Sequence, residues 1–375
     1  MIKLSEKAKK IYRMCPARHI LLLISAAVIA FHFITRNDHA LTSSLSISFI
    51  RPLHGFLAIL NSRVPFSVAE LLLAAVVLFA VVYLLIQIIL LAVRNSRGRR
   101  VYRTILTYLS FGLAIYAGFC ILWGTYYYGD DFNADNGFKE EKISLEQLET
   151  VTRYFAGICN DYAPAVPREE TGICCLDRGA VLERSDEVYE NVIKDYPGLS
   201  GPKTLAKGIL HSRIMSFLDF TGFFFPFTAE ANVNMDSPSV DLPATVAHEL
   251  AHQRGVSREQ EANFCAVLAS MYYGDPEYVY SAAVLAYTHL SNALYSADYE
   301  AWERIFYTLD ASVVADLRYI NAYWEQFDTP VADASNAVYE GFLQSYGQEL
   351  GLKSYGACVD LLVNYYYPEA VEAIP

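Results

Sequence analysis

The chain has 375 residues, enough for one large hydrophobic core or two small ones. Hydrophobic residues make up 54% of it and charged residues 19%, a balance that excludes a disordered chain, collagen and a long coiled coil. Residues 1–124 contain 14 Lys and Arg against 3 Asp and Glu, whereas residues 125–375 contain 15 against 38. A basic, apolar first third followed by an acidic remainder indicates two domains, and the acidic one is unsuited to binding nucleic acid.

Three apolar runs in the first third, at about residues 17–34, 67–93 and 105–124, predict a membrane domain. Crossing a hydrocarbon core of ~30 Å takes about 20 helical residues, so the second and third runs are long enough to span. The first run is shorter and has two interpretations. It is a retained helix, which we favour because no small-residue cleavage site follows it, or the apolar part of a signal peptide.

The positive charges beside these runs predict the orientation, because Lys and Arg concentrate on the cytoplasmic side of a membrane. The cations are Lys3, Lys7, Lys9, Lys10, Arg13 and Arg18 in the N-terminal tail and Arg94, Arg97, Arg99, Arg100 and Arg103 in the short loop after the second run. A cytoplasmic N-terminus and three spans place residues 125–375 outside the membrane. Residues 47–60 are apolar enough to lie in the bilayer interface. We expect the acidic outer domain to stand off the membrane, except at Tyr126–Tyr128.

The outer part predicts a mainly helical fold with a small edge sheet. Residues 125–142 are polar and acidic and predict a linker to a domain at 143–375. Ser144 is the predicted N-cap of the first helix, with Gln147 completing a capping box. The remaining predicted elements are a short helix at 186–196, extended strands within 212–234, and helices at 242–254, 257–272, 276–296, 311–326, 331–347 and 354–366.

Cysteine usage leaves the redox state of this domain open. Its five cysteines are an odd number, so at least one has no intramolecular partner. A disulfide from Cys159 to Cys174 or Cys175 is one possibility.

The segment His248-Glu249-Leu250-Ala251-His252 contains the pattern HExxH. Side chains four residues apart share one face of a helix, so both imidazoles can bind one metal ion. Glu249 then lies beside the open metal position, where a carboxylate can accept a proton from water. Composition alone gives roughly 0.01 expected chance matches to this pattern.

A catalytic zinc ion needs a third protein ligand, and two glutamates follow the motif. Glu259 and Glu261 are two residues apart on a helix, so they cannot both point at one ion. If Gly255 ends the first helix and Ser257 begins an antiparallel second helix, Glu259 reaches the metal. We favour Glu259, while Glu261 or a residue further downstream remains an alternative.

The supporting residues favour the same choice. Asn263 lies four residues after Glu259 and can hydrogen-bond His248, which fixes the orientation of a metal-binding imidazole. With Glu261 as ligand, the supporting position would fall to Cys265, a weaker hydrogen-bonding partner. Glu261 would instead face away from the metal, with Arg254 or Arg258 as possible partners.

The sequence HELAHQRG followed by EQEANF resembles the gluzincin class of zinc metallopeptidases, whose third ligand is a glutamate on the following helix. This resemblance implies Zn²⁺ as cofactor, Glu259 as ligand and Asn263 as its supporting residue. The gap of seven residues from His252 to Glu259 is shorter than in typical gluzincins. In the metzincin pattern, Arg258 would occupy the position of the third histidine, and arginine cannot bind the metal. The three spans with these motifs also resemble an uncharacterised family of bacterial membrane proteins of unknown function.

Four further residues are weaker site candidates. Glu230 and Asn232 follow an aromatic strand and could bind substrate backbone, or be ordinary turn or surface groups. Tyr287 and His289 lie in a downstream helix and could supply an oxyanion donor, or be core or surface residues.

These observations together predict a zinc-dependent metallopeptidase, anchored in a bacterial cell membrane, that hydrolyses peptides or proteins at its outer face. The alternative is a non-catalytic metal-binding receptor or assembly factor with a zincin-like fold. A transporter is disfavoured, because Glu70 lies near the end of a span and only Gln87 is a deep polar residue.

Overall fold

The computed structural model describes residues 12, 14–93, 97–138, 142–346, 348 and 355–373. Some of the positively charged residues that predict the membrane orientation lie outside this part of the chain, namely Lys3, Lys7, Lys9, Lys10, Arg13 and Arg94. Internal contacts divide the chain into two compact units. We call Met1–Ile50 with Val68–Gly129 the apolar unit, and Arg51–Ser67 with Asp130–Pro375 the acidic unit. This division differs from a single boundary after residue 124, because residues 51–67 belong with the later part of the chain.

The first five helices contain the predicted apolar runs. In chain order they are α1 (Pro16–Thr35), α2 (His39–Leu45), α3 (Arg51–Asn61), α4 (Val68–Val93) and α5 (Arg97–Phe119). A π-helical turn, Ser46–Ile50, joins α2 to α3, and another, Cys120–Gly124, continues α5. Of these, α3 belongs to the acidic unit and the others to the apolar unit.

Four segments among the described residues are long and apolar enough to cross a membrane. Three of them, Pro16–Thr35, Val68–Val93 and Arg97–Gly124, correspond to the predicted runs. The fourth, His39–Asn61, lies between the first and second predicted runs and is divided between the two units. The prediction of a membrane protein is therefore supported, while the number of spans and their orientation stay predictions.

The acidic unit is built from short elements followed by a set of longer helices. In chain order these are α6 (Phe132–Asn136), α7 (Leu145–Tyr162), α8 (Arg178–Glu183), β1 (Lys207–Ile209), α9 (Ser212–Phe217), β2 (Gly222–Phe225), β3 (Glu230–Asn234), α10 (Leu242–Gln253), α11 (Glu259–Tyr273), α12 (Pro276–Ala297), α13 (Tyr299–Phe306), α14 (Ala311–Glu325), α15 (Pro330–Ser345) and α16 (Tyr355–Ala373). The predicted mainly helical fold with a small sheet is confirmed. The capping box of α7 is also present, with Ser144 and Gln147 exchanging hydrogen bonds.

The sheet has three strands in the order β1–β3–β2. Strand β1 runs parallel to the central β3, and β2 runs antiparallel to it with Phe224 opposite Ala231. The N–H of Asn234 donates to the carbonyl of Thr221 (2.8 Å), one position before β2. Because hydrogen bonding alternates along an antiparallel pair, the main-chain groups of Gly222 and Phe224 point away from β3. They point toward the outer edge of β2, which pairs with no strand among the described residues.

Helix α10 packs against β3 and β2 on one side and against α11 and α12 on the other. Val246, Leu250 and Ala251 are fully buried in the shared core, as are Phe264 and Leu268 of α11. The HExxH helix is thus held by apolar contacts on most of its circumference, which fixes the direction of its polar side chains.

Several local predictions are wrong. Residues 186–196 form separate 3₁₀ turns, Ser185–Glu187 and Val192–Lys194, because their apolar side chains are buried by irregular packing. Residues Ser212–Phe217 form α9 instead of a strand, since Ser212, Met215 and Ser216 bury one helical face. Helix α11 begins at Glu259 after an extended Arg258, so the buried Ser257 is not its N-cap. Helix α13 was not predicted.

The proposed disulfide is also absent, because every cysteine of the chain is a free thiol. Cys159 and Cys174 are buried in the core, and the main-chain N–H of Cys174 donates to the buried carboxylate of Asp316 (2.7 Å).

The predicted linker is folded where the structure describes it. Residues Tyr126–Tyr128 form a 3₁₀ turn of the apolar unit, in which the indole N–H of Trp123 donates to the hydroxyl of Tyr127 (3.1 Å). Helix α6 belongs to the acidic unit. Residues 139–141 of the predicted linker lie outside the described part.

Candidate metal centre

The turn between α10 and α11 brings the second helix back along the first. Helix α10 ends at Gln253, and Gly255 adopts a φ of +93°, a conformation that glycine adopts without steric cost. The N–H of Gly255 donates to the carbonyl of His252 (2.9 Å), and that of Val256 donates to Ala251 (3.2 Å). These bonds satisfy the last carbonyls of α10. The first turn of α11 then lies beside His252 and the second beside His248.

Three side chains converge at this point. Nε2 of His248 lies 3.3 Å from Oε2 of Glu259, and Nε2 of His252 lies 3.7 Å from Oε1 of the same carboxylate. One ligand atom from each residue lies within 4.8 Å of the other two. Among the described residues, no other set of three histidine, cysteine or acidic side chains has the geometry to hold a metal ion.

Hydrogen bonds on the far side of each imidazole fix its orientation. Nδ1–H of His248 donates to Oδ1 of Asn263 (2.8 Å), and Nδ1–H of His252 donates to the carbonyl of Val256 (2.6 Å). These acceptors make Nδ1 the donor atom of each ring, so Nε2 is the nitrogen that can bind a metal ion once it is deprotonated. The structure thus brings Asn263 to the position predicted from its spacing.

Electrostatics couple the three groups. Burial alone would lower the pKa of His252, but the adjacent Glu259 carboxylate raises it to about 9. Burial likewise opposes ionisation of Glu259, yet His252 and His248 hold the pKa of that carboxyl well below its usual range. An ionised carboxylate between two imidazole nitrogens favours a positive charge at this point.

Glu261 is directed away from the cluster. It is buried, and its carboxylate accepts the main-chain N–H groups of Phe132 (3.3 Å) and Asn133 (3.4 Å) at the start of α6. Burial and the nearby Asp131 raise the pKa of Glu261 to about 7, although Arg258 opposes the shift. Glu261 thus joins α11 to the segment that follows the apolar unit in the sequence, and it is not placed to share a metal with the two histidines.

Glu249 lies next to the cluster and is 3% exposed. The main-chain N–H of Phe224, on the outer edge of β2, donates to its carboxylate. Its Oε2 has no hydrogen-bond partner among the described residues. Burial raises the pKa of Glu249 to about 7, although the neighbouring histidines lower it. A buried carboxylate oxygen without a partner is costly, so the place beside Oε2 suits a polar ligand.

Gly222 makes this arrangement possible. A Cβ atom at Gly222 would lie 2.6 Å from Oε1 of Glu249, a distance at which one of the two groups must move. The close approach of β2 to the HExxH helix therefore requires glycine, which has no side chain, at position 222.

Tyr339 belongs to the site and was not predicted from the sequence. Its hydroxyl donates to Oε1 of Glu259 (2.5 Å), and its ring meets Phe220 edge to face. Helix α15, which carries Tyr339, is joined to the turn between α9 and β2. The hydroxyl of Ser335 in α15 donates to the carbonyl of Leu218 in that turn (2.9 Å). Nothing in the sequence marks one tyrosine among 28, lying 80 residues from its partner.

A family model described as a protein of unknown function (DUF3810) matches residues 46–363, which is most of the chain. The chain belongs to this DUF3810 family. No curated protein and no solved structure matches it. The DUF3810 match includes α3 as well as every residue of the candidate metal centre, whereas it excludes α1.

In this DUF3810 protein, Glu230 and Asn232 have structural partners. They lie on the central strand β3 and not on an edge. Glu230 is buried and pairs with Lys207 (2.6 Å), while the hydroxyl of Ser67 donates to Oδ1 of the buried Asn232 (2.6 Å). These contacts favour a structural role and offer no support for substrate binding.

The two other weak candidates differ from each other. Tyr287 is 2% exposed and belongs to the hydrophobic core. His289 is also buried, but it lies close enough to the cluster that the charge of His248 adds to the effect of burial and lowers the pKa of His289 to about 4. His289 is therefore neutral near pH 7 and remains a candidate donor, whereas Tyr287 reads as a core residue.

The position of the third ligand can be tested with two matched amide variants. Glu259→Gln should abolish stoichiometric Zn²⁺ binding by the full-length protein, because an amide oxygen is a much weaker ligand than a carboxylate. Glu261→Gln keeps an acceptor for the two N–H groups of α6 and should bind Zn²⁺ like the wild type. Metal analysis after dialysis checks both variants, and the reverse pattern would contradict the geometry of the cluster.

Proposed function

We propose that this protein is a membrane-anchored, zinc-dependent metallopeptidase that hydrolyses peptide bonds at the outer face of a bacterial membrane. The observation that carries the proposal is the convergence of the Nε2 atoms of His248 and His252 on the Glu259 carboxylate, with Glu249 buried beside them. A gluzincin-type site would need these four groups in these positions.

The donor set fits Zn²⁺ better than other common ions. Two neutral imidazoles and one carboxylate are typical of catalytic zinc sites, which keep a further position open. Ca²⁺ and Mg²⁺ prefer oxygen ligands, so two histidines disfavour them. When bound, Zn²⁺ supplies Lewis-acid activation of a water molecule and of the scissile carbonyl group.

The residues around the metal have separate tasks in this proposal. Glu249 takes the proton from the attacking water and passes it to the leaving amine, a task that suits a buried carboxyl next to the metal position. His289 is a candidate donor to the oxyanion, since it is neutral and close to His248. Tyr339 holds Glu259 in place through its hydrogen bond to Oε1.

The outer edge of β2 offers a place for the substrate backbone. Its main-chain groups at Gly222 and Phe224 point away from β3, and the N–H of Phe224 already reaches Glu249. An extended peptide that added to this edge as a further strand would run past the catalytic glutamate. Substrate contact was one possibility for Glu230 and Asn232 from the sequence, and we place this contact at the edge of β2 instead.

The location of the site follows from counting three spans. Because α3 packs in the acidic unit, we count α1, α4 and α5 as spans and leave His39–Asn61 outside the count. The positive-inside rule then places the acidic unit outside the cytoplasm.

Cys175 allows a test of this orientation with a native residue, because it is the exposed cysteine of the chain while the other six are buried. A membrane-impermeant maleimide should label it on intact cells, and Cys175→Ser should remove the signal. Labelling that requires lysis would place the acidic unit in the cytoplasm.

Catalysis is tested by Glu249→Gln, which keeps the shape of the side chain and removes the base. Hydrolysis of a quenched-fluorescent peptide library by the full-length protein should fall by about 10²–10⁴-fold, with Zn²⁺ content unchanged. The exposed Glu170→Gln is the matched control and should keep wild-type activity.

If the wild-type protein binds Zn²⁺ but hydrolyses peptides no faster than Glu249→Gln, the proposed metallopeptidase activity is contradicted. That outcome would favour the non-catalytic receptor or assembly factor.

A further inference from the structure

Two segments of the acidic unit expose large apolar side chains to an extent unusual for a water-soluble surface. The first is residues 51–67 and the second is residues 205–217. Their exposed apolar residues, each between 43% and 84% exposed, are Phe56, Ile59, Leu60, Phe66, Leu205, Leu210, Ile214 and Phe217. We call these eight side chains the apolar face.

Helix α3 is apolar on the side that it exposes. It buries His54 and Ala58, four residues apart, against the rest of the acidic unit, and His54 meets the ring of Phe224. The opposite side of α3 carries Phe56, Ile59 and Leu60, and the helix contains no Asp, Glu or Lys. A helix on an aqueous surface would normally place polar residues there.

Polar contacts join the first segment to β1 and to the chain before it. The ammonium group of Lys207, on β1, donates to the carbonyls of Asn61 (2.7 Å) and Phe66 (3.0 Å) and pairs with Glu230. At the other end of the segment, the guanidinium group of Arg51 donates to the carbonyl of Ser200 (3.2 Å). Both ends of residues 51–67 are therefore fixed to the chain that leads into β1.

The charge of these segments departs from that of the rest of the acidic unit. Residues 196–218 contain no Asp or Glu, which is the longest such stretch in residues 125–375, and residues 51–67 contain none either. Lys203 and Arg213 pair with carboxylates outside these segments, namely Glu190 and Asp236. The two segments thus carry a small positive charge, from Arg51 and Arg63, within a unit that contains 38 acidic residues.

We propose that the apolar face inserts into the interfacial region of the lipid bilayer, and so holds the acidic unit against the membrane. The choice of lipid as occupant follows from chain connectivity, because Phe66 lies two residues before the first residue of α4, a candidate spanning helix. Through Lys207, β1 is fixed to the same short stretch of chain. An apolar, acid-free surface at this level meets lipid headgroups and the first methylene groups without the repulsion that acidic groups would cause.

This inference replaces the expectation that the acidic domain stands off the membrane. Net charge describes the average surface, whereas membrane binding depends on the surface that faces the lipid. It also extends the predicted interfacial character of residues 47–60 to α9, which lies about 150 residues later in the sequence.

Spin-label accessibility in the full-length protein tests the proposal. Ile214 is 58% exposed, so Ile214→Cys in a Cys175→Ser background should fold normally and accept a nitroxide label. Tyr307→Cys, at a position 77% exposed and outside the apolar face, is the matched control. In lipid nanodiscs, O₂ concentrates in the acyl region and a water-soluble nickel chelate is excluded from it.

We expect the ratio of O₂ to nickel accessibility to be severalfold higher at position 214 than at position 307, with Phe56→Cys behaving like Ile214→Cys. Equal ratios at 214 and 307 would overturn the proposal, since both sites would then face water. Low accessibility to both reagents at 214 would also overturn it, because it would show a protein contact such as a second copy of the chain.

Discussion

The candidate metal centre depends on the orientation of two imidazole rings. Each ring gives its Nδ1–H to a fixed acceptor, Asn263 for His248 and the carbonyl of Val256 for His252. Because these bonds fix the rings, both Nε2 atoms face Glu259. The short turn at Gly255 brings Glu259 and Asn263 of α11 beside the two histidines of α10. The apolar packing of α10 and α11, the approach of β2 and the contact with α15 all hold this one geometry.

The local part of this geometry could be predicted from sequence, because it depends on spacing along two adjacent helices. Helical periodicity places His248 and His252 on one face, and a reversal at Gly255 distinguishes Glu259 from Glu261. The structure places Glu259 and Asn263 where this reasoning expected them, even though Ser257 is not the N-cap. A small error in the helix boundary did not change which side chains meet.

The non-local part could not be predicted in the same way. Tyr339 reaches Glu259 across 80 residues, and Phe224 reaches Glu249 through a main-chain group that carries no sequence signal. From the sequence, Glu230 and Asn232 were candidates for substrate contact or ordinary turn or surface groups, whereas both are buried and paired with Lys207 and Ser67 from elsewhere in the chain. Long-range packing decides such cases, and a single sequence does not record it. The same limit explains why α3 was assigned to a loop of the membrane domain.

The central claim is that His248, His252 and Glu259 form one zinc site, and X-ray absorption at the zinc edge of the loaded full-length protein tests it most directly. We expect nitrogen and oxygen as the only nearest neighbours of the zinc, at about 2.0–2.1 Å, with more distant scattering from two imidazole rings. In His252→Ala, the contribution of one ring should disappear. Sulfur scattering at about 2.3 Å, or a wild-type spectrum without two imidazoles, would contradict it.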